Sequence, residues 1–185
     1  RALAEGGCRV LVPALIDRKL ESRNNRATLT TREYLYRSAF ELGRHLIGYE
    51  VQKILAGVDW LAQDQQVSDP RVAVIGWGEG GMLALYSAAL DPRIDVTCVS
   101  GYFEPREGIW QQPIDRNVFG LLEQFGDAEL AAMVVPRSLV IEAAQGPQVT
   151  LPPGMQGAPA ELVTPALDRV KQEVQRAERL VAGLT

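Results

Sequence analysis

Residues 72–81 read Val72-Ala73-Val74-Ile75-Gly76-Trp77-Gly78-Glu79-Gly80-Gly81. The first four are apolar and mostly β-branched, the composition of a short strand buried on both faces. Glycines at 76, 78, 80 and 81 then allow a turn too tight for larger residues. Beyond them the apolar residues run on to Leu90, where Asp91-Pro92 breaks the chain. The spacing predicts a helix from about Gly80 to Leu90, so the stretch as a whole is strand, tight turn, helix.

The same alternation extends outward. Cys8–Leu15 is a nearly continuous apolar run and is expected to be another buried strand, as are Ile94–Val99 and Ser138–Ala143. Asp17–Thr30 is polar and irregular, which predicts a surface loop. From Thr31 to Ala62 the apolar positions recur at helical spacing, predicting one long helix or two, broken near Gly48. Residues 101–116 form a loop rich in aromatic and charged side chains. Short helices are expected at Val118–Phe125 and Ala128–Met133, and an exposed loop at Gly146–Pro159. A closing helix is expected from Thr164-Pro165, a threonine cap with proline behind it, to about Ala182. Strands separated by helices specify an α/β fold with a parallel sheet of about four strands.

Composition narrows the function classes. The 185 residues are 46% hydrophobic and 23% charged, with a net charge of -4. An acidic chain is a poor match for nucleic acid or for an anionic membrane surface. No apolar run approaches the roughly 18 residues of a membrane helix, and no signal peptide is read. Cys8 and Cys98 both lie in apolar runs and are expected to be buried free thiols. Neither they nor the acidic residues have metal-ligand spacing, so neither metal nor cofactor is expected.

Two motifs compete for residues 76–81. Gly76, Gly78 and Gly81 match the dinucleotide fingerprint G-x-G-x-x-G. That motif needs an acidic residue about 20 positions on, at the end of the next strand, to hold a ribose. Here the next strand runs out into Val99-Ser100-Gly101, without a carboxylate. The competitor is the nucleophile elbow G-x-S-x-G, in which small residues flank a strained apex. In that register the apex is Gly78, which has no side chain to attack with. Glu79 cannot take its place, because the residue two positions before it is the bulky Trp77. A carboxylate there would also oppose the negative charge that develops in acyl transfer.

Residues Gly43 to Pro147 resemble the acetyl-xylan-esterase and dienelactone-hydrolase-like branch of the α/β-hydrolases. The resemblance is carried by Gly43-Arg44 with Ile47-Gly48, by Asp69-Pro70-Arg71-Val72 and by the turn itself. It continues through Ala88–Asp91 with Arg93-Ile94, Val99–Phe103, Phe125–Ala131 and Pro136–Val140. It implies an esterase-like fold whose serine position falls on Gly78. It also implies a catalytic acid after the strand at Ser138, where the chain has Gln145 or Gly146. Glu142 lies close by but within the strand, and is expected to be a structural hydrogen-bond acceptor. With both positions non-catalytic, the chain is expected not to work as a serine hydrolase.

The resemblance further implies that the chain is one domain, a piece of a larger α/β-hydrolase-like domain lacking its first strands and its last. The strand at Cys8 would then be the family's fourth. A vacant slot would separate it from the strand at Val72, to be filled by the remainder of its own chain or by another subunit. The family histidine would lie beyond the closing helix, and His45 is expected to be structural. Trp77, Gly78, Glu79 and Tyr102 are candidate pocket-lining residues. With Phe103 and Trp110, the aromatics either stack on a sugar ring or pack the loop onto the core. Asp127 and Glu129 are expected at a helix N-terminus, and Arg32, Arg37, Arg44, Arg106 and Arg116 in ion pairs with Glu41, Glu104 and Asp115. Three functions follow for comparison: an inactive hydrolase-like domain of a larger carbohydrate-associated protein, an active carboxylic-ester hydrolase completed by residues elsewhere, and a nucleotide-binding domain. The compartment is open, and the resemblance allows an extracytoplasmic one.

Overall fold

The computed structural model describes residues 1–63, 69–153 and 157–183. In chain order the elements are α1 (Ala2–Glu5), β1 (Leu20–Arg23), β2 (Ala27–Thr30), α2 (Thr31–Glu41), α3 (Leu46–Ala62), β3 (Val72–Trp77), α4 (Glu79–Leu90) and β4 (Ile94–Ser100). They continue with α5 (Asp127–Ala132), β5 (Ser138–Glu142), β6 (Val149–Leu151), β7 (Ala160–Leu162) and α6 (Leu167–Val181). Short 3₁₀ turns at Ile109–Gln111, Ile114–Arg116 and Leu121–Glu123 fold the long loop after β4.

The centre is a parallel sheet in the order β3-β4-β5. Its register places Trp77 beside Ser100, and Ser100 beside Glu142, in one row at the C-terminal edge. Helix α4 lies on one face. It is apolar nearly all round, as a helix enclosed on every side must be. Met82, Leu83, Ala84, Leu85 and Ala88 are fully buried against Ile94, Val99 and the apolar face of α3. A Leu or Met buried so completely contributes roughly 1.5–3 kcal/mol, so α4 is the main fastener of the sheet.

The sheet has three strands rather than four. Cys8–Leu15 is extended but has no ladder partner, and residues 8–14 are exposed. Apolar patterning there reports a capacity to be a strand. A strand also needs a neighbour, and none lies beside this one among the described residues. Clefts of about 250 and 500 Å³ separate Leu11–Pro13 from the edge of β3 between Val72 and Ile75. Cys8 is accordingly exposed and Cys98 half-buried, both as free thiols, not both buried as the pattern suggested. The second face of the sheet is also open: Ile75 is 59% exposed and Val140 51%. Parallel strands ordinarily bury both faces.

Other differences are local. The expected loop at 17–30 contains the hairpin β1-β2, turned by Asn24 and Asn25 at positive φ. Asparagine tolerates that conformation better than most residues, and the three-residue connection between Arg23 and Ala27 is closed by the Arg26 amide donating to the Arg23 carbonyl. The long helical stretch breaks at residues 42–45, with Gly43 at φ 69°, and not at Gly48. Helix α2 begins where Thr30 Oγ1 accepts the Glu33 amide, a cap worth about 1 kcal/mol. The loop at 146–159 carries β6, which pairs with β7; residues 154–156 of that loop lie outside the described residues. The expected helix at Val118–Phe125 reduces to the turn at Leu121–Glu123, while α5 forms as expected.

Candidate functional site

The strand-turn-helix of residues 72–90 forms as the sequence predicts. Gly78 is the single residue between β3 and α4, with φ 55° and ψ -114°. A side chain strains this backbone region. Gly76 is required for a different reason: a Cβ there would lie 1.9 Å from the Gly80 carbonyl oxygen, so strand and helix could not approach. The apex is therefore Gly78, with small residues two positions to either side.

Pro147 lies on the apex. A Cβ placed on Gly78 would fall 2.6 Å from its Cδ and 2.7 Å from its Cγ. The segment from Glu142 to Pro147 crosses the C-terminal edge of the sheet to reach this point. The Gly101 amide donates to the Glu142 carbonyl, and the Trp77 indole Nε1 donates to the Gln145 carbonyl at 2.8 Å. The Gly146 amide donates to Thr164 Oγ1 at 3.1 Å. Thr164 thus holds this segment rather than capping α6, whose N-cap is Ala166. Glu142 accepts a 2.5 Å hydrogen bond from Ser100 Oγ, the structural acceptor role expected of it.

Glu79 points away from any open pocket, into an ion cluster. Its carboxylate takes two bonds of 3.1 Å from Arg18 and lies 3.4 Å from Arg32 Nη2 and 3.5 Å from Arg116 Nε. Arg32 is the hub. It makes a fork on Glu50 at 2.9 and 2.7 Å and donates from Nε to Asp115 at 2.6 Å. The Arg32, Glu50 and Asp115 side chains are each 1% exposed. Burial alone would lower the Arg32 pKa, but the hydrogen bonds to Glu50 and the charges of Glu79 and Asp115 hold it above the ordinary value. Arg116, equally buried and less well compensated, is held below it by burial. Sequence periodicity carried a sign of this cluster. Glu50 sits on the Ile47-Val51-Ile54 stripe and Arg32 on the Tyr36-Ala39 stripe, each a charge where the apolar face of a helix belongs.

Tyr102 does not line a pocket. It is 3% exposed, and its hydroxyl donates to Asp127 at 2.8 Å. Phe103 is buried as well, whereas Trp77 and Trp110 are 56% and 74% exposed. Of these aromatics, Tyr102 and Phe103 pack the loop onto the core, Trp110 faces solvent, and Trp77 lines the cleft of about 250 Å³ beside β3, the pocket-lining place expected of it. Asp127 does open α5, and Glu129 accepts the Gly126 amide beside it and pairs with Arg176 of α6. Among the described residues no group of three or more His, Cys, Asp or Glu could hold a metal ion. Of the expected ion pairs Arg32 with Asp115 forms; Arg37 pairs instead with Glu33, and Glu104 with Arg169. His45 is the N-cap of α3, where its Nε2 accepts the Phe119 amide and its ring meets Tyr36 and Phe40.

Burial raises the Asp127 pKa from 3.8 to about 6, outweighing Arg106 and the Tyr102 hydroxyl. A carboxyl whose folded pKa is raised stabilises the fold below its unfolded pKa and loses that contribution as pH rises through the folded value. The stability difference between the protein and an Asp127→Asn variant is therefore expected to change in the variant's favour between about pH 4 and pH 6 and to level off above. Urea melts of both proteins across that range check it, and a difference independent of pH refutes it.

The model of the dienelactone hydrolase family matches residues 1–115, well over half the chain. The chain belongs to this family. The match starts upstream of Gly43–Pro147, the stretch that carries the resemblance, and takes in the extended segment, α2, α3 and the elbow. A curated relative, "Putative hydrolase YtaP" of Bacillus subtilis (strain 168), is 27% identical over 110 residues, which are 56% of this chain and 36% of that protein. A crystal structure described as a "putative acetyl xylan esterase" from Bacteroides fragilis NCTC 9343 superposes with a TM-score of 0.58 at 16% identity, covering 83% of this chain and 38% of that one. This chain thus has an esterase-like dienelactone hydrolase fold and spans little more than a third of the length of either protein.

Proposed function

We propose that this chain is a catalytically inactive member of the dienelactone hydrolase family, acting as a structural part of a larger, carbohydrate-associated protein. One observation carries the reading: the apex of the elbow is a glycine, and the ring of Pro147 fills the volume a nucleophile's side chain would need. Acyl transfer by this family's elbow requires a nucleophile at that apex and a base to activate it. The position expected for the acid falls on Gln145 and Gly146, whose backbone groups are used to hold the chain in place. The open edge of β3 and the open sheet face support the structural part of the reading. In it, an extended segment of the same chain or of another subunit fills the cleft between Leu11–Pro13 and β3. The carbohydrate setting rests on the description of the solved neighbour.

The test is hydrolysis of p-nitrophenyl acetate by the full-length protein, with a fluorophosphonate as active-site label. The expected result is that no serine of this chain is labelled and that no turnover depends on it. Turnover abolished by labelling of a serine within this chain would overturn the proposal.

A further inference from the structure

The segment Ala143–Pro147 is a short irregular strap, anchored just before its start, at Gln145 and at Gly146. It starts from the end of β5, where the Glu142 carbonyl accepts the Gly101 amide. Gln145 is fixed by the Trp77 indole, and Gly146 by the Thr164 hydroxyl. The approach to the sheet edge is closer than any side chain would permit: a Cβ on Gly146 would lie 2.4 Å from the Gly101 carbonyl oxygen, and one on Gly101 would lie 3.0 Å from the Gly146 Cα. Pro147 then seats on Gly78. The fasteners come from β3, from the end of β4 and from the residues before α6. Ligands of open α/β sheets bind beyond the C-terminal ends of the strands, and the strap crosses that edge.

We propose that Ala143–Pro147 is an intramolecular plug, which keeps the elbow closed by seating Pro147 on Gly78 and is latched by the Trp77–Gln145 hydrogen bond. The proposal rests on the inactive reading and adds to it that the emptied nucleophile position is closed to small molecules, not left as a vacant pocket. A proline suits this role, because its fixed φ reduces the freedom lost when the strap seats. Loss of the proline ring frees the strap, and the indole proton of Trp77 then becomes exchangeable.

Two measurements test this. The first is hydrogen exchange of the Trp77 indole N–H by NMR in the unaltered protein and in Pro147→Gly. The indole is expected to be protected in the former and to exchange at least about tenfold faster in the latter. The second follows exchange of the Gly146 backbone amide, held by Thr164 Oγ1, in the same two proteins. It is expected to be protected with Pro147 present and to exchange at least about tenfold faster in Pro147→Gly. Neither measurement alters the apex, so Pro147 is tested where it sits on Gly78. Equal exchange in both proteins would overturn the plug alone. Serine-dependent ester turnover in the unaltered protein would overturn the plug together with the inactive reading.

Discussion

Replacing Gly78 by serine, the change that restores the G-x-S-x-G pattern, is expected to destabilise the protein and to produce no esterase. Two costs combine. A side chain at φ 55° and ψ -114° carries strain of roughly 1–3 kcal/mol. The new Cβ would also stand 2.6 Å from Pro147 Cδ, and overpacking of this kind costs roughly 1–3 kcal/mol unless the strap moves. A loss of about 3 kcal/mol is a large part of the stability of an ordinary domain, and urea melts would show it as a lowered midpoint. Activity is expected to stay absent because the position expected for the acid holds Gln145 and Gly146, neither of which can orient an imidazole. A Gly78→Ser protein as stable as its parent would show that Pro147 moves aside at no cost, and the steric part of the inactive reading would fall.

The second large effect is expected at Arg32. Its guanidinium forks onto Glu50, bonds Asp115 and lies against Glu79, within a cluster almost closed to water. Truncation by Arg32→Ala leaves buried carboxylates without their counter-charge. Breaking a buried pair from one side costs about 3–5 kcal/mol, whatever the net worth of the intact pair. Arg32→Lys keeps the charge but cannot supply the planar fork, so most of the loss is expected to remain. Arg71→Ala is the control: that arginine is 75% exposed in its pair with Asp95, and exposed pairs are worth about 0–1 kcal/mol. Equal effects at Arg32 and Arg71 in denaturant melts would refute the structural importance of the cluster. The same cluster explains Glu79. Its side chain ties the first turn of α4 to the chain just before β1 through Arg18, to α2 through Arg32 and to the 3₁₀ turn Ile114–Arg116 through Arg116.

Much of the fold is legible in the pattern of apolar residues. β3, the elbow, α4, β4, β5 and α6 are each specified by a short local run, and each forms within a few residues of its expected bounds. The departures of the structure from the apolar pattern have one common cause. Cys8–Leu15 has the composition of a buried strand but no ladder partner, because pairing depends on the neighbour and not on the run itself. Tyr102 was a plausible pocket residue by position, but its burial depends on Asp127, 25 residues further along the chain. Thr164 has the local signature of a helix cap, yet its hydroxyl is taken by Gly146.

The residues of the candidate site divide in the same way. Sequence alone determined that the turn after β3 is built from glycines, that its apex has no side chain, and that no carboxylate occupies Gln145 or Gly146. These are statements about which atoms exist, and no arrangement of the chain alters them. Only the tertiary structure decided that Pro147, 69 positions from Gly78, closes over the apex, and that Glu79 is held by three arginines. Contacts of that kind are made between segments far apart in sequence, and a local pattern carries no record of them.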